Sequence, residues 1–384
     1  MKQSNVNAKK KLLESEKPTA STSLQSELSL WTLFWQTSFL AIGIAAVMLL
    51  ITALTLGLWG YGRFRQFLSA AGISQSEFIS QVKLGWQTAP VADNGSKNLL
   101  VLGTDSTTER GDVPPLTDTM MLVSIDFQHG KINTLPLPRD LWSEAYQTKI
   151  NALLTYGLDR YPDKPERFPQ EVLTEITDLP IHHTVVLSLD QLKTLIDLIG
   201  GVKIKVAQGF TDTQYPRAGV DVTTERNPAI LYETVTFQAG EQLLTGERAI
   251  QYIRSRHSED EQGHDLARGA RQQQVIEAVI AQLTNPKLLI AQPKIAGEVF
   301  RFYEQNFGQV LPLFELVSTA KALFQALNPI TFHSHQLTDI DDDPVNGVID
   351  NPPISRRYQN QWVYIIPDQA KFVNQIYQAF FSQN

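Results

Sequence analysis

Hydrophobic and polar positions divide the chain into two unequal parts. From Leu28 to Gly62 it runs 35 residues without Asp, Glu, Lys or Arg. The most apolar stretch, Phe39 to Trp59, is 21 residues long, matching the ~20 that a helix needs to cross ~30 Å of hydrocarbon. Trp31, Trp35, Trp59 and Tyr61 lie toward its ends, where amphipathic rings favour the headgroup layer. The run is too long for the apolar region of a signal peptide and lacks a small-residue cleavage pattern. A single transmembrane segment over 28–62 is therefore expected, preceded by a tail over 1–27. Arg63 to Thr88 reads as an amphipathic helix and Ala89 to Lys97 as a polar linker, which together make residues 63–97 a juxtamembrane connection.

From Asn98 onward the pattern changes to alternating strand and helix periods, with no repeat and no second linker. Asn98 to Leu102 is a short buried strand. Thr119–Ile125 and Lys131–Leu135 flank a turn at Gln128-His129-Gly130 and predict a hairpin that Pro136 and Pro138 stop. Leu189–Ile199 has helical apolar spacing, closed by Gly200-Gly201 before a strand at Val202–Val206. Thr211–Ala239 reads mostly as loop. Thr245–Tyr252 reads as helix and Ile253–Arg256 as extended chain. Leu266–Leu283 reads as a helix burying Leu266, Ala270, Ile276, Val279, Ile280 and Leu283. The expected fold is α/β, with a mixed β-sheet flanked by helices, in one domain over 98–384.

Composition narrows the function. The 384 residues carry a net charge of −7 and no cysteine. The charge argues against a protein that coats nucleic acid through a general basic surface, and the lack of cysteine excludes a disulfide scaffold, thiol catalysis and thiolate zinc sites. The tail over 1–27 holds five lysines against three glutamates, a bias that favours a cytoplasmic N-terminus and places everything beyond the span outside the cytoplasm.

The candidate chemistry sits at element ends. Asp105 directly follows the first strand and Asp118 precedes the next. Paired carboxylates repel unless a cation neutralises them, so they suit Mg²⁺ shared with phosphate oxygens; turn stabilisation is the alternative. Arg139, held after two prolines, suits bidentate phosphate contact or an ion pair with Asp140. Arg254 and Arg256 are two residues apart and point the same way on extended chain. Arg268, Arg271 and Gln272 are spaced i, i+3, i+4 on one helix. These arginines suit a compact polyanion such as pyrophosphate, or else a solvated face paired with Glu259, Asp260, Glu261 and Asp265. Asp339, Asp341, Asp343 and Asp350 have calcium-loop spacing, but Pro344 stands where the loop needs Gly. His257 and His264 read as surface histidines.

In order, the blocks NLLVLGTDS, TDTMMLVSID, LPLPRDLW, KINALLTYG, LIDLIGGVKIKV, GEQLLTGERAIQYIRSRH and DLARGARQQQVIEAVI resemble the LytR-CpsA-Psr family. The similarity runs from about Asn98 to Leu283, and the preceding single span matches the family's topology. The resemblance implies a transferase that moves a cell-wall glycopolymer from a polyprenyl diphosphate carrier to peptidoglycan. It also implies a sandwich fold with an apolar pocket for the polyprenyl chain, expected between the sheet and the Leu266–Leu283 helix.

By the same resemblance, Asp105 and Asp118 are the metal-associated aspartates, with Mg²⁺ as cofactor. Arg139, Arg254, Arg256, Arg268 and Gln272 are the pyrophosphate-binding set, and Lys149 a further basic position. Arg271 joins the substrate-binding group from its helix spacing. The family's usual arginine two residues before the second aspartate is here Leu116, a vacancy that Arg110 could fill from the preceding loop. The other reading is a non-catalytic, membrane-anchored binder of polyprenyl phosphate or wall glycan.

Overall fold

The computed structural model describes residues 20–105, 116–217, 220, 225–258, 265–283, 285, 287–326 and 329–382. Two compact units are distinguished, Met1–Arg65 and Gln66–Asn384. Helix α1 spans Ala20–Ala71. Within it, Ile44–Ala71 is long and apolar enough to cross a membrane. Val47, Leu50, Leu54 and Leu58 are exposed along this stretch, as on a lipid-facing helix rather than a core helix. Length, composition and exposure together describe a single-pass anchor.

Among the described residues, the longer helices that follow are α2 (Gln75–Gln87), α3 (Leu153–Arg160), α4 (Arg167–Thr177), α5 (Leu189–Leu198), α6 (Gly246–Arg254), α7 (Asp265–Leu283), α8 (Pro293–Phe307), α9 (Leu313–Gln325) and α10 (Gln369–Phe381). The strands are β1 (Ser96–Thr104), β2 (Thr117–Asp126), β3 (Lys131–Leu137), β4 (Trp142–Ser143), β5 (Thr148–Lys149), β6 (His183–Ser188), β7 (Val202–Val206), β8 (Phe210–Pro216), β9 (Tyr232–Phe237), β10 (Gly240–Leu244) and β11 (Thr331–Ser334).

Five strands form the main sheet in the order β11-β3-β2-β1-β6. The β1–β2 and β2–β3 pairs are antiparallel, whereas β1–β6 and β3–β11 are parallel, so the sheet is mixed as expected. Alternation along β1 and β2 gives it two different faces. Leu100, Leu102, Met120 and Leu122 point into one core with side chains of α3, α4 and α10. A second core gathers α5, α6 and α7 with the small pairs β7–β10 and β8–β9.

Local chemistry fixes the joins. Gly72 adopts φ +73°, which splits the single helix expected over Arg63–Thr88 into the end of α1 and a separate α2. Ser74 then caps α2 by accepting from the Glu77 amide. A Cβ on Gly85 would lie 2.3 Å from the Phe314 carbonyl oxygen, so glycine there lets α2 lie on α9. Lys321 donates to the carbonyls of Trp86 and Thr88 at 2.8 and 2.9 Å, closing the same helix at its C-terminus. A capping box between Ser188 and Gln191 starts α5, and Gly200 and Gly201 end it at φ +81° and +91°.

Besides the helix expected over Arg63–Thr88, four expectations are corrected, the first being that Pro136 does not stop β3, which pairs through it to Leu137. Thr211–Ala239 is not mostly loop, because β8 and β9 pair within it. Ile253 and Arg254 complete α6 rather than leading an extended segment. The α7 face is centred on Arg271, Val275 and Val279, with Ile276, Ile280 and Leu283 only half-buried and Ala270 exposed.

Candidate functional site

The face of β1 and β2 opposite the first core carries Val101, Gly103, Thr119 and Met121, and these line a cavity of about 480 Å³. Leu189 and Leu192 of α5 and Val275 and Ile276 of α7 close it, placing it between the sheet and α7. One end is apolar. Following β1 from Val101 to Asp105 covers four residues, ~13 Å at strand rise, and that end is charged.

Asp118 reaches the charged end through an irregularity. Gly103 pairs with Thr119, but Thr104 pairs with Thr117, so Asp118 is an extra residue opposite β1. Regular alternation would have sent its side chain to the core face beside Met120. The bulge turns it into the cavity with Asp105.

Arg139 follows β3 and its Nη1 donates to Asp118 Oδ1 at 2.6 Å. Its Nε donates to Asp140 Oδ2 at 3.3 Å, and Lys149 Nζ donates to Asp140 Oδ1 at 2.7 Å. The ion pair with Asp140 and a place in the cavity thus coexist. Burial works against the Arg139 charge, but Asp118 and Asp140 more than offset it and hold the guanidinium above its ordinary value. The backbone is pinned as well: Asn151 donates to the Arg139 carbonyl at 3.1 Å, and Tyr364 to that of Asp140 at 2.9 Å.

Arg254 ends α6 with its guanidinium 5.8 Å from the centre of the Tyr215 ring. The turn that follows is set by Asp212, whose fully buried Oδ2 accepts from the amides of Arg256 at 2.9 Å and His257 at 3.3 Å. Arg268 and Gln272 enter from α7. Arg271 does not. It is 3% exposed, donating to the carbonyls of Tyr252 at 2.9 Å and Ser255 at 2.5 Å, with its guanidinium 4.8 Å from the Phe210 ring centre. Adjacent residues lie ~100° apart around a helix, so Arg271 cannot share the Gln272 direction; it holds the Arg254–Arg256 segment from behind.

The structure therefore brings together Asp105, Asp118, Arg139, Lys149, Arg254, Arg256, Arg268 and Gln272 and separates Arg271 from them. Arg110 lies outside the described residues. Leu116 does line the cavity, so the departure from the family pattern falls within the site. His257, read from sequence as a surface histidine, is exposed but also lines the cavity. Sequence reasoning also missed Asp140, Asn151 and Ser188 as lining residues, and Asp212 as the group that sets the arginine turn. The Ser188-x-x-Gln191 capping pattern was a readable signal; Asp212 carried none.

Among the described lining residues, five cationic side chains meet three carboxylates, which suits a multiply charged anion with an apolar extension. No group of three His, Asp or Glu forms a metal cluster among the described residues. Asp105 and Asp118 are nevertheless hard oxygen donors of the kind Mg²⁺ shares with phosphate, and only one Asp118 oxygen is taken by Arg139, so the donor set fits. The Asp339–Asp350 loop is organised internally: Asp343 accepts from the amides of Val345 and Asn346 and from the Asn346 side chain.

A mixed-sheet domain with a cation-rich, partly apolar cavity, preceded in the chain by an apolar helix, defines the class. The LytR_cpsA_psr family model matches residues 67–365, and the chain belongs to that family. It is 27% identical over 278 residues to the polyisoprenyl-teichoic acid–peptidoglycan teichoic acid transferase TagU of Oceanobacillus iheyensis, covering 71% of this chain and 72% of that one. The TagU of Bacillus mycoides is 23% identical over 292 residues, with coverage of 75% and 79%. The crystal structure of Bacillus subtilis TagV aligns with a TM-score of 0.50 at 18% identity, covering 75% of this chain and 97% of that one, which shows a shared fold.

Proposed function

We propose that this protein is a membrane-anchored transferase that moves a glycopolymer from a polyprenyl diphosphate carrier to peptidoglycan through a phosphodiester bond. The carrying observation is that one cavity is lined by Val101, Met121, Leu192 and Ile276 together with the arginines and aspartates. A polyprenyl tail fits the first set because each buried CH₂ contributes ~0.8 kcal/mol. The diphosphate fits the second because guanidinium forks match phosphate oxygens. The teichoic acid transferase names of two TagU relatives support the substrate class.

In this reading an acceptor sugar hydroxyl attacks the sugar-linked phosphorus. A new O–P bond forms, the bridging P–O bond breaks, polyprenyl phosphate leaves, and the hydroxyl proton passes to a base or water. Arg139, Arg254, Arg256 and Arg268 neutralise the diphosphate and the charge that develops on the leaving oxygen. Asp118 and Asp140 keep Arg139 charged and aimed. Mg²⁺ held by Asp105 and Asp118 would supply further charge neutralisation. The lysine bias of the tail favours a cytoplasmic N-terminus, with the catalytic domain, residues 98–384, on the other side of the membrane.

The test incubates the full-length protein in detergent with a diphosphate-linked lipid glycan, Mg²⁺ and an acceptor oligosaccharide. Acceptor-dependent product supports transfer, and omitting Mg²⁺ reads the metal's part. Lipid bound without product would support the binder, to which Leu116 in the cavity lends weight. Product independent of acceptor would mean hydrolysis.

A further inference from the structure

A second cleft, of about 300 Å³, lies outside the cavity described above and is lined by Tyr146, Tyr156, Asp159, Arg160 and Phe168. Tyr146 is 37% exposed and Tyr156 44%, whereas Phe168 is buried at 2% and forms the floor. The Tyr146 and Phe168 rings meet edge to face at 5.0 Å. The Arg160 guanidinium sits 4.8 Å from the Phe168 ring centre and 5.8 Å from that of Tyr146.

The backbone carrying these rings is tied at several points. Tyr146 is at the tip of the β4–β5 hairpin, where Gln359 Nε2 donates to the Gln147 carbonyl at 2.8 Å and Arg357 Nη2 to Glu144 Oε1 at 2.9 Å. Tyr156, Asp159 and Arg160 belong to α3, which is seated at Gly157, where a Cβ would lie 2.0 Å from the Pro165 carbonyl oxygen.

We infer that this cleft binds a carbohydrate strand, and specifically the acceptor glycan of the transfer proposed above, on which reading the inference rests. A pyranose ring offers C–H faces with partial positive charge and a rim of hydroxyls. Aromatic faces carry negative quadrupole charge and large rigid area, and the tyrosine hydroxyls, the Asp159 carboxylate and the Arg160 guanidinium supply acceptors and donors for the rim. Among the described residues the lining holds no aliphatic side chain, which disfavours an apolar peptide or lipid. Among these residues the cation Arg160 is matched in charge by Asp159, which disfavours a polyanion.

Location gives the cleft its role. The same hairpin that carries Tyr146 at its tip carries Lys149 at its base, in the first cavity. Three residues of chain span at most ~11 Å. A glycan strand on the aromatic cleft therefore lies within a few sugar units of the phosphate-binding residues, as an acceptor must.

The experiment titrates full-length protein in detergent with an undecorated peptidoglycan tetrasaccharide, followed by calorimetry, and repeats this for Tyr156→Ala and Asp159→Asn. Both substitutions fall on exposed positions of α3. The expected result is at least tenfold weaker binding for Tyr156→Ala and severalfold for Asp159→Asn, with unfolding temperature and donor-lipid binding unchanged. Equal affinities in all three proteins, or no binding by the unaltered protein, would overturn the inference. A transfer assay with the same tetrasaccharide separates the two levels. Transfer with an unchanged acceptor KM in Tyr156→Ala removes the cleft and leaves the transferase; Tyr156-dependent binding without transfer keeps the cleft and removes the transferase.

Discussion

Two arginines three positions apart on α7 carry opposite duties. Arg271 is buried against backbone carbonyls, so Arg271→Ala leaves those groups unpaired and should cost about 2–4 kcal/mol of stability. Its unfolding temperature drops accordingly. Arg268 lines the cavity. Arg268→Lys keeps the charge but loses the planar fork, so turnover should fall on the order of 10²-fold while the unfolding temperature holds. Were Arg268 only a member of a solvated helix face, its pairing would be worth ~0–1 kcal/mol and Arg268→Lys would turn over normally. Thermal unfolding and transfer rate, measured on both variants, decide this. The arginines were legible as a cluster because charge recurs there in an acidic chain. Which of them faces inward was not, since the 100° step per residue only acquires meaning once the core side of α7 is known.

At the scale of elements, strand periods and glycine stops made β1, β2, β3, α5 and β7 readable. What escaped depends on long-range pairing. The β8–β9 pair has Val235 and Phe237 buried with polar Thr236 between them and Asp212 opposite Val235, and this weak alternation looks like loop until the second core covers it. The bulge that turns Asp118 is invisible in one strand's pattern, because it exists only relative to β1. So does the environment of His182 and His183, where β6 meets β1. The His182 Nδ1 accepts from the Asn98 amide at 2.9 Å, and His183 Nε2 lies 2.8 Å from Glu315, which also holds the buried Lys97. Burial lowers both imidazoles below their ordinary value, more than Glu315 raises His183. The unfolded chain, titrating near pH ~6.5, then takes up protons that the folded one refuses. The stability is present above that pH and is lost as pH falls through it toward the folded values. Unfolding temperature should therefore decline from pH 7 into the fives. His182→Gln, whose amide oxygen can accept from Asn98 without titrating, should flatten the slope; an unchanged slope would remove His182 from the account.

For the whole molecule, the proposed transfer pairs an apolar helix suited to a membrane with a cavity that has both apolar and charged lining. The proposed orientation predicts that protease added to intact, wall-stripped cells removes a C-terminal tag and spares an N-terminal one; the reverse pattern would contradict it. Anchor, mixed sheet and most of the charged lining were legible in the sequence from hydropathy and ordered motifs, while the shape of the cavity came from packing between α7 and the sheet. The central claim is that the bond broken is the diphosphate bridge. The most direct measurement follows phosphorus-31 resonances during transfer from a polyprenyl diphosphate glycan to an acceptor oligosaccharide. The account predicts equal amounts of polyprenyl monophosphate and phosphodiester-linked glycan. Polyprenyl diphosphate released whole, with a phosphorus-free glycan product, would place the cleavage at the sugar carbon and contradict it.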